Sequence, residues 1–166
     1  MSKRMRQYVG IFSAIAVYYT VHEGVHLIAA LYYGVFRQIN FMGLGVQIDV
    51  YAERMTDPQL ALFCLVGPLA TLFTGWMLIL LAGKICKTKS RVFKAAMWYV
   101  TLAMLLLNPL YLSILFGFFG GGDMNGIRLL LPESGVRTFF AAVGLAHCFL
   151  IRKHLLPEYT KAFEKE

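Results

Sequence analysis

The chain has 166 residues, of which 58% are hydrophobic and only 15% are charged. Soluble domains usually contain fewer apolar residues and about a quarter charged residues, so this composition excludes an ordinary water-soluble domain and favours a protein surrounded by a lipid bilayer. The net charge is +7, but the basic residues lie in short clusters between apolar runs. Membrane topology produces this distribution, and we therefore expect no nucleic-acid partner.

The apolar runs predict the fold class. A membrane-spanning helix needs about 20 predominantly apolar residues, so the runs predict an all-α polytopic membrane protein with about four transmembrane helices in a single domain, residues 1–166. The expected helices are residues 8–33, 58–83, 92–119 and 136–153, of which the fourth is the shortest. The first run is longer than the hydrophobic region of a signal peptide, which has about 7–15 residues, so we expect this helix to be retained.

The segments between the predicted helices differ in character. Residues 46–51 alternate polar and apolar side chains, which is typical of a half-buried strand, and Gly43 and Gly45 can supply a turn before them. We therefore expect a short β-hairpin at about residues 36–51, after the first helix and near the membrane surface. Residues 84–91 are predicted to form a short basic loop, and residues 155–166 a polar tail.

Lysine and arginine counts predict an orientation in the membrane. The N-terminal end, the loop near residue 84 and the C-terminal end together hold 12 of the 16 basic residues. The other two connections hold only Arg37, Arg54, Arg128 and Arg137. With four spans, the positive-inside rule places both termini in the cytoplasm, in a multi-pass protein of a bacterial-type cytoplasmic membrane.

Residues 22–26 form an HExxH motif with His22, Glu23 and His26 inside the first apolar helix. Positions i and i+4 lie on one face of a helix, so the two imidazoles can bind one metal ion together. The glutamate between them can take a proton from a water molecule held there. Ionisable groups are costly inside a membrane helix and are usually functional. The alternative is that the three groups only satisfy one another by hydrogen bonds.

A third metal ligand must come from elsewhere, because a catalytic zinc usually has three protein ligands and an open fourth position. Asp123 is the only acid between Asp57 and Glu133, is flanked by glycines, and lies at the end of the third predicted helix. His147 and His154 are the alternatives. His147 is expected to be a core residue, and His154 is expected near the opposite surface.

Taken in order, these features resemble the site-2 protease family of intramembrane zinc metalloproteases. The matching pieces are the HExxH motif in the first helix, the β-like stretch after it, Gly67-Pro68 in the second helix and the glycine-flanked Asp123 after the third. The resemblance covers roughly residues 8–131. It implies that His22, His26 and Asp123 hold one Zn²⁺ per chain, that Glu23 activates water, and that the chain cleaves a membrane-associated peptide or a single-span protein.

The chain also departs from the family pattern. Asp123 is followed by Met124-Asn125-Gly126 rather than directly by glycine, and Asn108-Pro109 lies farther upstream than the family's asparagine-proline segment. Asn108 and Asn125 are therefore candidates for substrate binding or oxyanion stabilisation, while a structural or turn role is the favoured interpretation of both. Family members place zinc toward the cytoplasm, whereas the charge count places it nearer the outer face.

Two functional classes remain open at this point. The first is an intramembrane zinc endopeptidase, whose substrate would be recognised by the core or by an accessory protein, because no substrate-selecting domain is predicted. In such an enzyme the hairpin could hold an extended substrate by strand addition. The second is a non-proteolytic metal-binding membrane protein, such as a transporter subunit or a regulatory module.

Overall fold

The computed structural model describes residues 1–43, 45–120 and 122–164. Within these residues, four helices are long and apolar enough to cross a membrane, judged by length and composition: Lys3–Tyr32, Asp57–Cys86, Arg91–Phe118 and Glu133–Glu164. The predicted helical class and the number of candidate spans are therefore confirmed. Three residues used in the predictions, Leu44 of the hairpin, Gly121 of the glycine run and Lys165 of the basic end, fall outside the described residues.

The first helix, α1, spans Lys3–Tyr32 and begins earlier than predicted. The hydroxyl of Ser2 accepts a hydrogen bond from the Met5 N–H and caps the first turn. Capping satisfies backbone donors that would otherwise lack a partner, so the helix extends through the basic N-terminal residues although they are not apolar. The helix ends before Gly34, which has a φ of +67°.

The predicted β-hairpin is present after α1. Strand β1 (Phe36–Met42) pairs antiparallel with strand β2 (Gly45–Val50), and Ile39 lies opposite Ile48. Gly43 adopts a positive φ of 62° between the strands. Ile48 is buried, and β2 packs on α1. The hairpin therefore lies against the helix that carries the HExxH motif.

Helix α2 spans Asp57–Cys86 and begins with a capping box formed by Thr56 and Gln59. It continues beyond the predicted end, so the basic loop predicted at residues 84–91 is shorter than expected and covers residues 87–90. Helix α3 (Arg91–Leu110) leads into a π-helical turn, Tyr111–Leu115, and the short helix α4, Phe116–Phe119. The five-residue helix α5, Asp123–Ile127, follows.

The C-terminal part is helical almost to its end. Helix α6 (Glu133–Leu150) passes through a second π-helical turn, Ile151–Leu155, into helix α7, Leu156–Glu164. The fourth predicted helix, residues 136–153, is therefore longer than expected, and the described part of the polar segment at residues 155–166 is helical. Leu155 and Tyr159 lie four residues apart and are both buried against Ala82 and Ile85 of α2. Packing of this apolar face stabilises a helix whose overall composition is polar.

Candidate metal centre

Helix α1 carries the two histidines of the HExxH motif on one face. His22 and His26 are both buried, and their ring centroids lie 4.8 Å apart. The ring of Tyr18, one turn before His22, stacks on the His22 ring at a centroid distance of 5.4 Å. On the other side, His26 contacts Phe63 of α2 at a centroid distance of 4.7 Å. Aromatic neighbours thus fix the planes of both imidazoles.

A glycine turn directs Asp123 toward these histidines. Gly120 and Gly122 have φ values of +61° and +57° with extended ψ values, a combination essentially restricted to glycine. The Tyr111 hydroxyl donates a 2.9 Å hydrogen bond to the Gly120 carbonyl. A Cβ added at Gly122 would lie 2.8 Å from that hydroxyl. Both positions therefore need glycine for a conformational reason, and Gly122 needs it for a steric reason as well.

Helix α5 anchors the residue that follows the turn. Asp123 is its first residue, and Met124 and Ile127 on its inner face are completely or almost completely buried. Gly126 packs directly on α2: an added Cβ would overlap the Cys64 side chain and lie 3.0 Å from the Leu60 carbonyl oxygen. The helix is short, but burial and this close approach hold its N-terminal residue in place.

The three side chains converge on one point. His22 Nε2 and His26 Nε2 are 3.2 Å apart. One Asp123 carboxylate oxygen lies 3.1 Å from His22 Nε2, and the other lies 3.3 Å from His26 Nε2. Ligands at about 2.0–2.2 Å around a tetrahedral zinc are about 3.3–3.6 Å from one another, which is within a few tenths of an ångström of these separations. The buried group of His22, His26 and Asp123 could therefore hold a metal ion.

The charge state of Asp123 suits this role. Burial alone would raise the pKa of the Asp123 carboxyl, but hydrogen bonds from His22 and His26 outweigh it and hold the pKa below its ordinary value. The group is thus a carboxylate at neutral pH. A carboxylate is also the form that ligates a divalent cation.

Glu23 lies beside this group but is held differently. The Ile48 N–H of strand β2 donates a 2.9 Å hydrogen bond to Glu23 Oε2. The other oxygen, Oε1, lies 4.0 Å from His22 Nε2. The hairpin therefore orients the carboxylate, leaving one oxygen close to the point on which the histidines and Asp123 converge. The hydrogen bond from the hairpin backbone to Glu23 was not predicted, because the HExxH motif alone does not show which group donates to the glutamate.

Gly67 of α2 lies directly against the two imidazoles. A Cβ added at this position would overlap His26 Nε2 and would lie 2.9 Å from both Nε2 and Cε1 of His22. Any larger residue here would displace both rings. This contact gives a physical reason for the glycine that the sequence places next to Pro68.

Asn108 supports His22 from behind. Its amide nitrogen lies 2.6 Å from the Thr71 hydroxyl and 3.4 Å from His22 Nδ1, and its amide oxygen accepts a 2.8 Å hydrogen bond from the Tyr18 hydroxyl. Asn108 therefore contacts Nδ1, the ring nitrogen on the far side from Nε2, which faces the candidate metal site. A histidine that ligates through Nε2 carries its proton on Nδ1, so the Asn108 amide would need to turn its oxygen toward this nitrogen to accept that proton when a metal is bound. The structural role favoured from the sequence agrees with this position, and Thr71 and Tyr18 join Asn108 in a network that sequence patterns did not reveal.

The other predicted residues lie in different places. Asn125 is exposed on α5 and lines the cavity in front of the site, where it is available to a ligand. His147 is buried as predicted and lies on α6, with Nδ1 2.8 Å from the Leu105 carbonyl oxygen. His154 is exposed in the second π-helical turn. Neither alternative histidine belongs to the group formed by His22, His26 and Asp123.

An open cavity of about 840 Å³ gives access to the site. Its walls include all three members of the candidate metal-binding group, together with Glu23, residues Val46 to Val50 of strand β2, and Asn108. A strand edge and a potential metal site thus face the same space. A cavity of this size can admit several residues of an extended peptide.

Comparison with known proteins identified no relative of the chain. No family model matches the chain, and neither the curated proteins nor the solved structures contain a match. The assignment of the site therefore depends on its own geometry.

Proposed function

We propose that the chain is an intramembrane zinc metalloendopeptidase that cleaves a membrane-associated peptide or single-span protein. The observation that carries the proposal is the convergence of His22, His26 and Asp123 at 3.1–3.3 Å, with one free oxygen of Glu23 beside them. A zinc ion at this point would lower the pKa of a bound water molecule and polarise the scissile carbonyl.

In this proposal Glu23 is the general base. Its Oε2 is occupied by the Ile48 N–H, so Oε1 remains to accept the proton of the attacking water and to pass it to the leaving amine. A carboxylate that was free to rotate would spend part of its time turned away from the water. The hydrogen bond from the hairpin removes that freedom, which favours proton transfer.

Strand β2 provides the surface on which a substrate would lie. Ile48 is opposite Ile39 but donates its N–H to Glu23 instead of to β1, so the polar backbone groups of Ile48 face the cavity. Val46 lies two residues away and faces the same direction, because backbone groups alternate sides along an antiparallel strand. The Ile48 N–H is already bonded to Glu23, so a substrate that has unwound from a helix could pair with the remaining groups of this edge, the Ile48 carbonyl and the Val46 backbone, which would expose the scissile carbonyl of the substrate to the metal.

The surface of the helices supports placement in a bilayer. Phe73 and Leu80 lie two turns apart on one face of α2, and Leu145 lies on α6; they are 66%, 72% and 73% exposed. Side chains of this size and number are rarely exposed to water on a soluble protein, whereas lipid is a suitable solvent for them. Four spans would put both termini on one side, and the basic ends support the proposal that this side is the cytoplasm.

The substitution Glu23→Gln tests the proposal most directly. The variant keeps the shape of the side chain and all three ligands, so the purified protein should retain one zinc ion per chain. Cleavage of a single-span peptide in liposomes should fall by about 10²–10⁴-fold, the usual contribution of a general base. Glu53→Gln, at an exposed acid outside the cavity, serves as the matched control and should change neither quantity.

Two outcomes would contradict the proposal. Full cleavage by purified Glu23→Gln would exclude this glutamate as the base. Stoichiometric zinc without cleavage of any single-span peptide by the unsubstituted chain would instead favour the non-proteolytic metal-binding alternative.

A further inference from the structure

A second cavity lies at the other end of the bundle. It has a volume of about 580 Å³ and opens between the first turns of α1, the first turns of α3 and helix α7. Lys3 in its wall precedes His22 by 19 residues on the same helix, which corresponds to roughly 28 Å along the axis. This second cavity, called the basic cleft below, is therefore separate from the candidate metal centre.

The rim of the basic cleft is positively charged. Lys3, Arg6 and Arg91 line it, and Glu164 is the one acid among the lining residues that the structure describes. Arg6 also donates a 3.0 Å hydrogen bond to the Met1 carbonyl, which holds its guanidinium near the opening. The positive ends of two helix dipoles add to this field because both α1 and α3 begin here, whereas the negative end of α7 is offset by the Lys94 ammonium at the Ala162 carbonyl. The field favours a ligand with a negative charge.

The inner wall of the basic cleft is apolar and fixed in place. It is formed by Trp98, Leu156 and Phe163, together with Tyr99. Buried Lys94 donates a 3.1 Å hydrogen bond from Nζ to the carbonyl of Ala162 in the last turn of α7, and its ammonium lies 5.4 Å from the Phe163 ring centroid. These contacts attach α7 to α3, so the apolar wall is part of the folded structure.

We propose that the basic cleft binds an anionic phospholipid, with the headgroup phosphate at Lys3 and Arg6 and an acyl chain along Trp98 and Phe163. The charged rim adjoins the apolar wall, as the headgroup of a phospholipid adjoins its acyl chains. Basic pockets between membrane helices on the cytoplasmic side bind such headgroups. An acidic peptide would match the rim but not the apolar depth. The inference uses the membrane placement proposed above but not the peptidase chemistry.

The test measures how close a lipid chain comes to Trp98. The chain has two tryptophans, so a Trp76→Phe background leaves Trp98 as the only indole. The protein is placed in phosphatidylcholine nanodiscs, and phosphatidylglycerol with brominated acyl chains is titrated in while tryptophan fluorescence is recorded. Saturable quenching at low mole fraction is expected, and brominated phosphatidylcholine at the same mole fractions should quench less.

Matched double variants assign the binding to the cleft. Lys3→Gln/Arg6→Gln removes two rim charges and should weaken the apparent affinity for phosphatidylglycerol by about 30-fold. Arg4→Gln/Lys87→Gln removes the same charge from exposed residues that do not line the cleft, and should weaken it by at most about threefold. An unchanged melting temperature of both variants confirms that each is folded.

Three results would overturn the proposal. Equal quenching by the two brominated lipids would show that the headgroup is not recognised. Equal losses in the two double variants would show that only the overall surface charge matters. Reversal of quenching by inorganic phosphate at millimolar concentration would show that the site takes a phosphate group from solution rather than a lipid. None of these results depends on whether Glu23 acts as a base.

Discussion

The contact between α3 and α6 and the candidate metal centre both hold ionisable side chains between apolar helices, and they do so in different ways. Where α3 meets α6, the donors contact backbone carbonyls: buried His147 has Nδ1 2.8 Å from the Leu105 oxygen, and half-buried Arg137 donates from Nε to the Ser113 oxygen at 3.0 Å. At the candidate metal centre, by contrast, three side chains contact one another around a common point.

The contact between α3 and α6 has a backbone explanation. Pro109 has no N–H, so the carbonyl of Leu105, four residues earlier, lacks its usual helical donor. His147 supplies a ring nitrogen to that carbonyl. The π-helical turn that follows disturbs the regular pattern again, and Arg137 contacts the Ser113 carbonyl within it. A histidine or an arginine placed here supplies a hydrogen-bond donor to a backbone carbonyl and needs no catalytic role.

The metal-centre residues have no such explanation. Their ligand atoms face one another instead of backbone carbonyls, and bringing two histidines and a carboxylate together in an apolar surrounding costs free energy unless something links them. Burial of an ionisable group in a membrane helix is therefore only weak evidence of function. Convergence of several ligand atoms at metal-binding separations is a stronger one, and the substitutions below test this distinction.

The largest expected effect is that of Asp123→Ala. Removal of the carboxylate leaves two histidines, which is one ligand fewer than catalytic zinc sites usually have. Bound zinc, measured by elemental analysis after dialysis against a weak chelator, should fall to background, and cleavage should be lost with it. Glu133→Ala, which removes the acid paired with Arg137 at 3.4 Å in the other region, should keep zinc. Retention of zinc by Asp123→Ala would disprove the proposed ligand set.

A smaller effect is expected from Gly67→Ala, which adds one methyl group between α2 and the imidazoles. The added carbon would overlap His26 Nε2, so the rings must shift. A misplacement of about 1 Å can cost about 100-fold in rate, and we expect a loss of that order in cleavage together with weaker zinc binding. Gly24→Ala is the matched control, because an added Cβ there has no neighbour within 4 Å. Equal activity of both variants would contradict the close packing at Gly67.

The comparison also shows what the sequence could and could not predict. Local signals were sufficient for the four apolar helices, the hairpin and the HExxH motif, because each depends on residues close together in the chain. Asp123 could be found only because acids are so scarce around it. The network of Thr71, Asn108 and Tyr18 could not be predicted, since it joins three helices through packing that no local pattern encodes. The helical C-terminal segment was missed for the same reason: Leu155 and Tyr159 become an apolar face only against α2.

The smallest effect is expected from His147→Leu, which changes only the contact between α6 and the Leu105 carbonyl of α3. This change leaves the Leu105 carbonyl without its side-chain partner, and an unsatisfied buried polar group costs about 1–3 kcal/mol of unfolding free energy. Zinc content and cleavage should not change.

Pro109→Ala restores a backbone N–H four residues after Leu105, so the destabilisation by His147→Leu should be smaller in a Pro109→Ala background. A double-mutant cycle on thermal or denaturant unfolding measures this coupling. If the two losses were simply additive, His147 would not be compensating for the proline, and the explanation given for this buried histidine would be wrong.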